Sequence, residues 1–260
     1  MLRVTVPWWV ENGNGLIGAW GARLRVVAAR VLAGSVVADP DAGVGARRAF
    51  VAGFRDELGH RARVVTPFLS ALLGVDPDGI DGPPPPHSAH PVGAGALGPG
   101  APGADGGGRG RRLDLDDRLW WAVHEPWSPV AEYGAGVGPL DPGLAEIAIE
   151  SRTETELSAM HALFRLGLDR GEAGMVERAL DAARWQVAEL QPDNGTNHPW
   201  GIHVFVSLAA READAEVAGA ALMHAQMLLH NCQVQQGRPD RLSACILWDA
   251  AATLGRLAPA

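Results

Sequence analysis

Lysine is absent from this chain, and all 22 basic residues are arginine. Pyridoxal-phosphate enzymes and lysine aldolases need a lysine for their Schiff base. A P-loop needs a lysine beside Ser or Thr, and a protein kinase needs the lysine of its third strand. The sequence therefore excludes these classes of enzyme, and the use of arginine alone is most simply explained by a GC-rich genome.

Cysteine is scarce as well, with only Cys232 and Cys245, both beside apolar residues in helical patterns. We expect them to be reduced core residues, since free cysteine is commonly buried. The chain has no run of about 18 uncharged apolar residues, so no transmembrane segment is predicted. The opening residues lack the apolar segment of a signal peptide, and a cytoplasmic location is expected.

Positive charge is sparse in the second half of the chain. Residues 1–112 carry 12 arginines and 9 acidic residues, whereas residues 113–260 carry 10 arginines and 21 acidic residues. Acidic surfaces repel the phosphates of DNA and RNA, and no dense arginine cluster is present. We therefore expect no nucleic-acid partner, although the weakly basic N-terminal part leaves room for an anionic surface.

A stretch rich in proline and glycine, residues 82–112, divides the chain. It holds 7 Pro and 10 Gly among 31 residues. Such a composition buries too little apolar surface to offset the entropy lost on ordering, so the stretch is predicted to be a disordered linker. The predicted division is a small N-terminal helical region over residues 1–81 and a helical-hairpin domain over residues 113–260. The first part is marginal alone, so it has reason to pack against the second.

Apolar residues recur with helical spacing on both sides of the linker. After a short strand at 3–10, helices are predicted at 16–32, 45–58 and 64–73. A short helix begins near Asp116, and five longer ones follow at 143–168, 172–190, 199–210, 212–232 and 241–257. Short connections make neighbouring helices antiparallel. The predicted fold class is therefore all-α, built from antiparallel helical hairpins.

One segment, residues 189–203, carries more polar and aromatic side chains than a connection needs. Asp193 and Asn194 precede a glycine, which is typical of a turn. Turn chemistry does not account for Trp200 and His203, which share a face near the start of the following helix. The free N–H groups there favour an anionic or carbonyl-bearing ligand. His198 lies in the same segment.

Two other helices carry candidate polar side chains. On the helix through Leu157 the apolar stripe gives way to Glu154, and His161 lies beside the stripe. This pattern indicates a helix that leaves the core for a pocket, although a solvated helix end with favourable acids is the simpler explanation. His224 lies on an apolar face, where a lone histidine is more often a core residue. The candidate binding residues are Glu154, His161, Asp193, Asn194, His198, Trp200, His203 and His224.

No cofactor or metal is predicted. Among the six histidines after the linker, the closest pairs are His198 with His203 and His224 with His230, which are 5 and 6 residues apart. Such spacings do not place two imidazoles side by side on a helix, whereas helical zinc sites use histidines four residues apart. A site assembled from different helices stays open.

One loop resembles a known family. It reads Leu190-Gln191-Pro192-Asp193-Asn194-Gly195, is followed by Trp200, and resembles the Gln/Asp/Gly/Trp loops of α/α-toroid proteins, the squalene-cyclase and prenyltransferase-like superfamily. The resemblance implies antiparallel helical hairpins. It carries over no activity, because the acidic catalytic motif of that superfamily has no counterpart here. The stretch through His198-Pro199-Trp200 also resembles bacterial proteins of uncharacterised function, which implies a bacterial source.

These residues support two main hypotheses for function. The first is a helical scaffold that binds a protein or a small ligand around residues 189–203. The alternative is an enzyme acting on a small molecule or glycan, in which Glu154 or Asp193 is the acid or base. In that enzyme, His198 or His203 would assist.

A third hypothesis is a peripheral protein that binds an anionic membrane surface through Arg23 and Arg30 of the first helix. No motif names a reaction, so catalytic residues are not assigned and the partner is not identified.

Overall fold

The computed structural model describes residues 13–55, 64–78, 80, 115–125, 133–141, 149–190 and 197–258. These residues form helices and no strand, which confirms the all-α class. The predicted linker, the predicted strand at 3–10 and the turn residues Asp193 and Asn194 lie outside the described residues.

Within these ranges the chain forms nine helices in sequence. They are α1 (Gly13–Leu32), α2 (Val44–Gly53), α3 (Val65–Leu73), α4 (Leu115–Ala122), α5 (Ile149–Arg170), α6 (Ala173–Glu189), α7 (Ile202–Arg211), α8 (Ala215–Val234) and α9 (Arg241–Leu257). The prediction was wrong for the end of α2. Phe54 leaves the helix in an extended conformation and is buried in the core, after a glycine that weakens the last turn.

The ends of several helices follow from single residues. Gly74 ends α3 with a left-handed conformation, φ 62°, as the sequence predicts. Asp214 and Asp240 cap α8 and α9, since their carboxylates accept hydrogen bonds from backbone N–H groups of the first turn. These caps fix where the last two helices begin.

The helices pack around one hydrophobic core that includes both predicted parts of the chain. The most extensive helix pair is α1 with α9, and α1 also meets α7. Phe68 of α3 packs edge-on against Trp120 of α4 and Trp200, with ring centroids 5.0 and 4.9 Å apart. The N-terminal helices are therefore part of the surroundings of the candidate site, while the division into two domains stays a prediction.

The pair α5 and α6 approaches closely because of Gly167, where an added Cβ would lie 2.8 Å from a methyl group of Val176. In the parts of the chain that the structure describes, no helix has the length and apolar character needed to cross a bilayer.

Candidate functional site

The start of α7 is held inside the core rather than at the surface. Trp200 is 1% exposed and His203 is fully buried. Gly201 has φ +69°, and a side chain there would lie 2.7 Å from the Cε atom of Met160 on α5. This turn therefore needs glycine for its conformation and for its close approach to α5. Within the predicted surface around residues 189–203, Trp200 and His203 are therefore core residues, while Glu189 and Asn197 are exposed.

A chain of hydrogen bonds begins at this turn and runs through the core. The backbone N–H of Gly201 donates to Nδ1 of His161 at 3.3 Å. Nδ1 therefore carries the lone pair, and Nε2–H donates to the Asp249 carboxylate at 2.9 Å. Arg165 donates to the other oxygen of that carboxylate. We call Arg165, Asp249 and His161 the buried network.

Charges balance within the buried network. Burial alone would raise the pKa of Asp249, but the Arg165 guanidinium and the hydrogen bond from His161 outweigh burial and hold that pKa well below its usual range. Burial lowers the pKa of His161, against the opposing effect of Asp249. A cation, an anion and a neutral imidazole therefore share the core, and each has a partner.

His203 lies beside this network without joining it. Its ring centroid is 4.2 Å from that of His161 and 5.2 Å from that of Phe164. Neither ring nitrogen has a hydrogen-bond partner among the described residues. Burial, and then repulsion from His161, lower the pKa of His203 well below its ordinary value, so the ring is neutral. An unpaired polar group of this kind costs about 1–3 kcal/mol.

His198, just before α7, links two helices by ion pairs. Its Nδ1 lies 2.7 Å from a carboxylate oxygen of Glu154 on α5, and its Nε2 lies 3.5 Å from Asp240 at the start of α9. Burial would lower the pKa of His198, but hydrogen bonds to Asp240 and Glu154 outweigh it and raise the pKa to about 9. A doubly protonated His198 therefore clamps α5 to α9.

The eight predicted binding residues fall into separate places. Glu154 contacts His198, while His161, Trp200 and His203 meet in the core. His224 lies apart on α8, where it stacks on Phe205 at 5.2 Å. Asp193 and Asn194 lie outside the described residues. Among the described residues, the structure thus gathers six of them into two clusters and one isolated ring, and none of the six lines the open cleft described next.

An open cleft of about 510 Å³ lies elsewhere, between the turn after α3, the end of α4 and the end of α5. We call it the acidic cleft. Arg165 joins it to the buried network, since this side chain lines the cleft while its guanidinium contacts Asp249. The lining residues are Ser70, Ala71, Gly74, Val75, Asp76, Pro77, Asp78, Trp121, Val123, His124, Glu125, Arg165 and Asp169.

Carboxylates outnumber cations in this lining. The four acidic side chains are Asp76, Asp78, Glu125 and Asp169, against the single guanidinium of Arg165. Arg165 is fully engaged, because it donates to Asp249, to the carbonyl oxygen of Ala71 at 2.9 Å and to Asp169 at 3.5 Å. Asp169 is also paired with Arg256, outside the lining, at 2.5 Å, so the surplus of negative charge rests mainly on Asp76 and Asp78. The cleft offers no unsatisfied guanidinium to an anion.

The lining of the acidic cleft also includes two uncharged residues, Ser70 and Trp121. Ser70 on α3 is fully buried, and its hydroxyl has no hydrogen-bond partner in the described structure. Trp121 on α4 is half-buried, while its neighbour Trp120 is fully buried and donates to the hydroxyl of Ser158 at 3.1 Å. Adjacent residues of a helix point in different directions, and this brings one indole to the cleft.

Sequence reasoning missed the acidic cleft, although one local signal was present. Asp76 and Asp78 flank Pro77 in a short turn, and Asp76 accepts a hydrogen bond from the Asp78 N–H at 2.9 Å. That arrangement is typical of any surface turn. Only the fold brings it to the ends of α4 and α5.

Comparisons with protein-family models, with curated proteins and with solved structures found no match to this chain. Within the described ranges, no three His, Cys, Asp or Glu side chains are grouped so as to hold a metal ion, and this includes the carboxylates of the acidic cleft. The geometry and charge of the cleft are therefore the basis for any functional proposal.

Proposed function

We propose that this protein binds a small organic cation in the acidic cleft. The observation that carries the proposal is a lining with four carboxylates and only one guanidinium, already engaged by Asp249, around a single opening. Carboxylates gathered in a concave site attract a positively charged ligand, because low-dielectric walls concentrate their field. This develops the small-ligand form of the scaffold hypothesis and moves the site away from residues 189–203.

The other lining groups suit an organic cation. The half-buried Trp121 offers an aromatic ring to an ammonium or guanidinium group, which aromatic faces attract. The volume of about 510 Å³ lies within the range of roughly 300–1,000 Å³ that is usual for small-molecule sites.

Binding is tested by calorimetric titration with three cations: 1,4-diaminobutane, butylguanidinium and tetramethylammonium. We expect at least one of them to bind and the matched neutral and anionic compounds, 1,4-butanediol and succinate, not to bind. The double substitution Asp76→Asn and Asp78→Asn is expected to weaken binding by at least about tenfold, because hydrogen bonds to charged groups contribute about 1.5–3 kcal/mol.

Glu216→Gln is the matched control. Glu216 is an exposed acid on α8, outside the lining of the cleft, so its loss removes a negative charge without changing the site. Unchanged affinity in this control, together with the loss in the double variant, assigns the effect to the cleft. The proposal fails if none of the three cations binds, or if the control and the double variant weaken binding equally.

The enzyme alternative has less support from the described geometry. Its candidate pair Glu154 and His198 is closed by an ion pair, and Asp240 occupies the second nitrogen of His198. Its other candidate histidine, His203, is fully buried. The membrane hypothesis rests on Arg23 and Arg30, which are exposed on α1, with Arg23 lying over the ring of Trp20 at 4.9 Å.

A further inference from the structure

His124 has one ring nitrogen fixed by the fold. It follows α4 and lines the acidic cleft, half-buried. Its Nε2 lies 2.8 Å from the carbonyl oxygen of Pro67 on α3. A carbonyl oxygen only accepts hydrogen bonds, so Nε2 must carry the proton and donate it to Pro67. In the neutral ring, Nδ1 is then the nitrogen with the lone pair.

Within the described structure, no hydrogen-bond donor contacts that lone pair. The ring contacts Trp121, with centroids 6.4 Å apart, and among the described residues its one hydrogen bond is to Pro67. An imidazole held in one tautomer is a hydrogen-bond acceptor of fixed position, and its orientation is set before a ligand arrives. The cleft thus combines negative charge with one neutral acceptor.

We infer that Nδ1 of His124 accepts a hydrogen bond from the ligand, so that the cleft selects cations that carry N–H groups, such as primary ammonium or guanidinium ions, over quaternary ammonium ions. This inference rests on the proposed function and narrows its ligand class. Carboxylates and an indole attract any cation, whereas a lone pair at a fixed place increases the affinity only of a cation that can donate a hydrogen bond.

The same contact makes binding depend on pH. A protonated His124 has no acceptor and adds a positive charge beside a positive ligand. Burial lowers the pKa of His124 below 6.5, and Arg165 on α5 acts in the same direction. The carbonyl of Pro67 and the carboxylates of Asp76 and Asp78 oppose them. The ring is therefore neutral at pH 7, and affinity is expected to fall only in more acidic solution.

Other charged groups around the ring are carboxylates that do not share this tautomer constraint. Glu125 is the next residue in the chain, and Asp169 lies at the end of α5 in the same lining. Their protonation would also weaken cation binding at low pH. Variants of His124 itself are needed to separate the two sources of pH dependence.

Two substitutions separate the two nitrogens of the ring. His124→Gln places an amide N–H near the position of Nε2 and keeps a donor for Pro67 while removing the acceptor. His124→Asn places an amide oxygen near the position of Nδ1, which keeps an acceptor that does not titrate. Thermal melts of both variants check that the fold is retained.

The experiment measures the affinity of 1,4-diaminobutane and of its fully N-methylated quaternary analogue by calorimetry at pH 7.5. We expect the diamine to bind the unmodified protein about tenfold more tightly, since it can donate a hydrogen bond from a charged group to Nδ1 and the quaternary analogue cannot. That preference should disappear in His124→Gln and remain in His124→Asn. Below the pKa of His124, the affinity of the unmodified protein should fall by up to about tenfold per pH unit more than that of His124→Asn.

The outcomes distinguish the two proposals. Equal binding of the two compounds to the unmodified protein, or an unchanged preference in His124→Gln, overturns the role of His124 and leaves the cation site standing. Absence of binding by either compound, and by the other cations named above, overturns the cation site and this inference with it.

Discussion

The buried network and the acidic cleft share Arg165, yet charges are balanced in the first and unbalanced in the second. In the core, Arg165, Asp249 and a neutral His161 balance one another, and every charged group has a partner. In the cleft, four carboxylates surround one engaged guanidinium. Burial demands pairing because an isolated charge in the core is costly, whereas an open cleft tolerates a surplus that a ligand can neutralise. The difference is what we would expect if the first region maintains the fold and the second binds the proposed ligand.

The largest effect is expected from breaking the buried network at Asp249. Asp249→Asn keeps the shape of the side chain but leaves Arg165 without its buried counter-charge. Removing one partner of a buried ion pair costs roughly 3–5 kcal/mol. Urea denaturation should show this loss in the free energy of unfolding.

The matched control for that change is Asp169→Asn, which removes the other carboxylate near Arg165. Asp169 is 34% exposed, so its loss should cost at most about 1 kcal/mol. Equal losses in the two variants would contradict the distinction between a paired core and an open cleft.

A second effect concerns the His198 clamp and its pH dependence. The pKa of His198 is about 9 in the folded protein and 6.5 without these partners. A raised pKa means that the stabilisation is complete below pH 6.5 and is lost as the pH rises through about 9. His198→Asn should therefore destabilise the protein by about 2 kcal/mol at pH 6, allowing for the half-exposed Glu154, and much less at pH 10.

Urea denaturation of both proteins at the two pH values gives this difference directly. Comparison at matched pH cancels the titration of tyrosine and cysteine, which both chains share. A difference that is the same at pH 6 and pH 10 would show that His198 acts by packing rather than by its charge.

The smallest expected change in stability comes from replacing His203, which we compare with its neighbour in the core, His161. His203 is buried with both ring nitrogens unpaired among the described residues, whereas neighbouring His161 has partners on both. His203→Leu should stabilise the protein by about 1 kcal/mol, because it removes an unsatisfied polar group. For a chain of this size that corresponds to a rise in Tm of about 2–4 °C.

His161→Leu is the paired variant, and it should lower the Tm because Asp249 and the Gly201 N–H lose their partner. A fall in Tm of several degrees for His203→Leu as well would show that the His203 ring has a polar partner in solution.

Much of the fold followed from the sequence because helical periodicity is a local property. The helical spacing of Trp20, Leu24, Val27 and Val31 predicts one apolar face of α1. Trp20 and Leu24 are buried, while Val27 and Val31 are partly buried against the core. Gly74 ended α3 for the same local reason. Adjacent Trp120 and Trp121 also separated as the geometry of a helix requires.

The buried network and the acidic cleft could not be predicted from the sequence, because their contacts join residues far apart in the chain. His161 and Asp249 are 88 positions apart, and His124 and Pro67 are 57 apart. Trp200 and His203 stand out in the sequence, but a hydrophobic core and a binding surface both favour such residues on one helix face. Only the packing of α7 against α5 shows that they are buried.

The account is tested most directly by the indole N–H resonances of Trp121 and Trp200 in a nitrogen-labelled sample titrated with 1,4-diaminobutane. Each resonance is assigned by a single Trp→Phe substitution. We predict that the Trp121 resonance shifts progressively to saturation while the Trp200 resonance stays in place. A shift at Trp200 with Trp121 unchanged would contradict the assignment of the ligand to the acidic cleft and return it to the segment around residues 189–203.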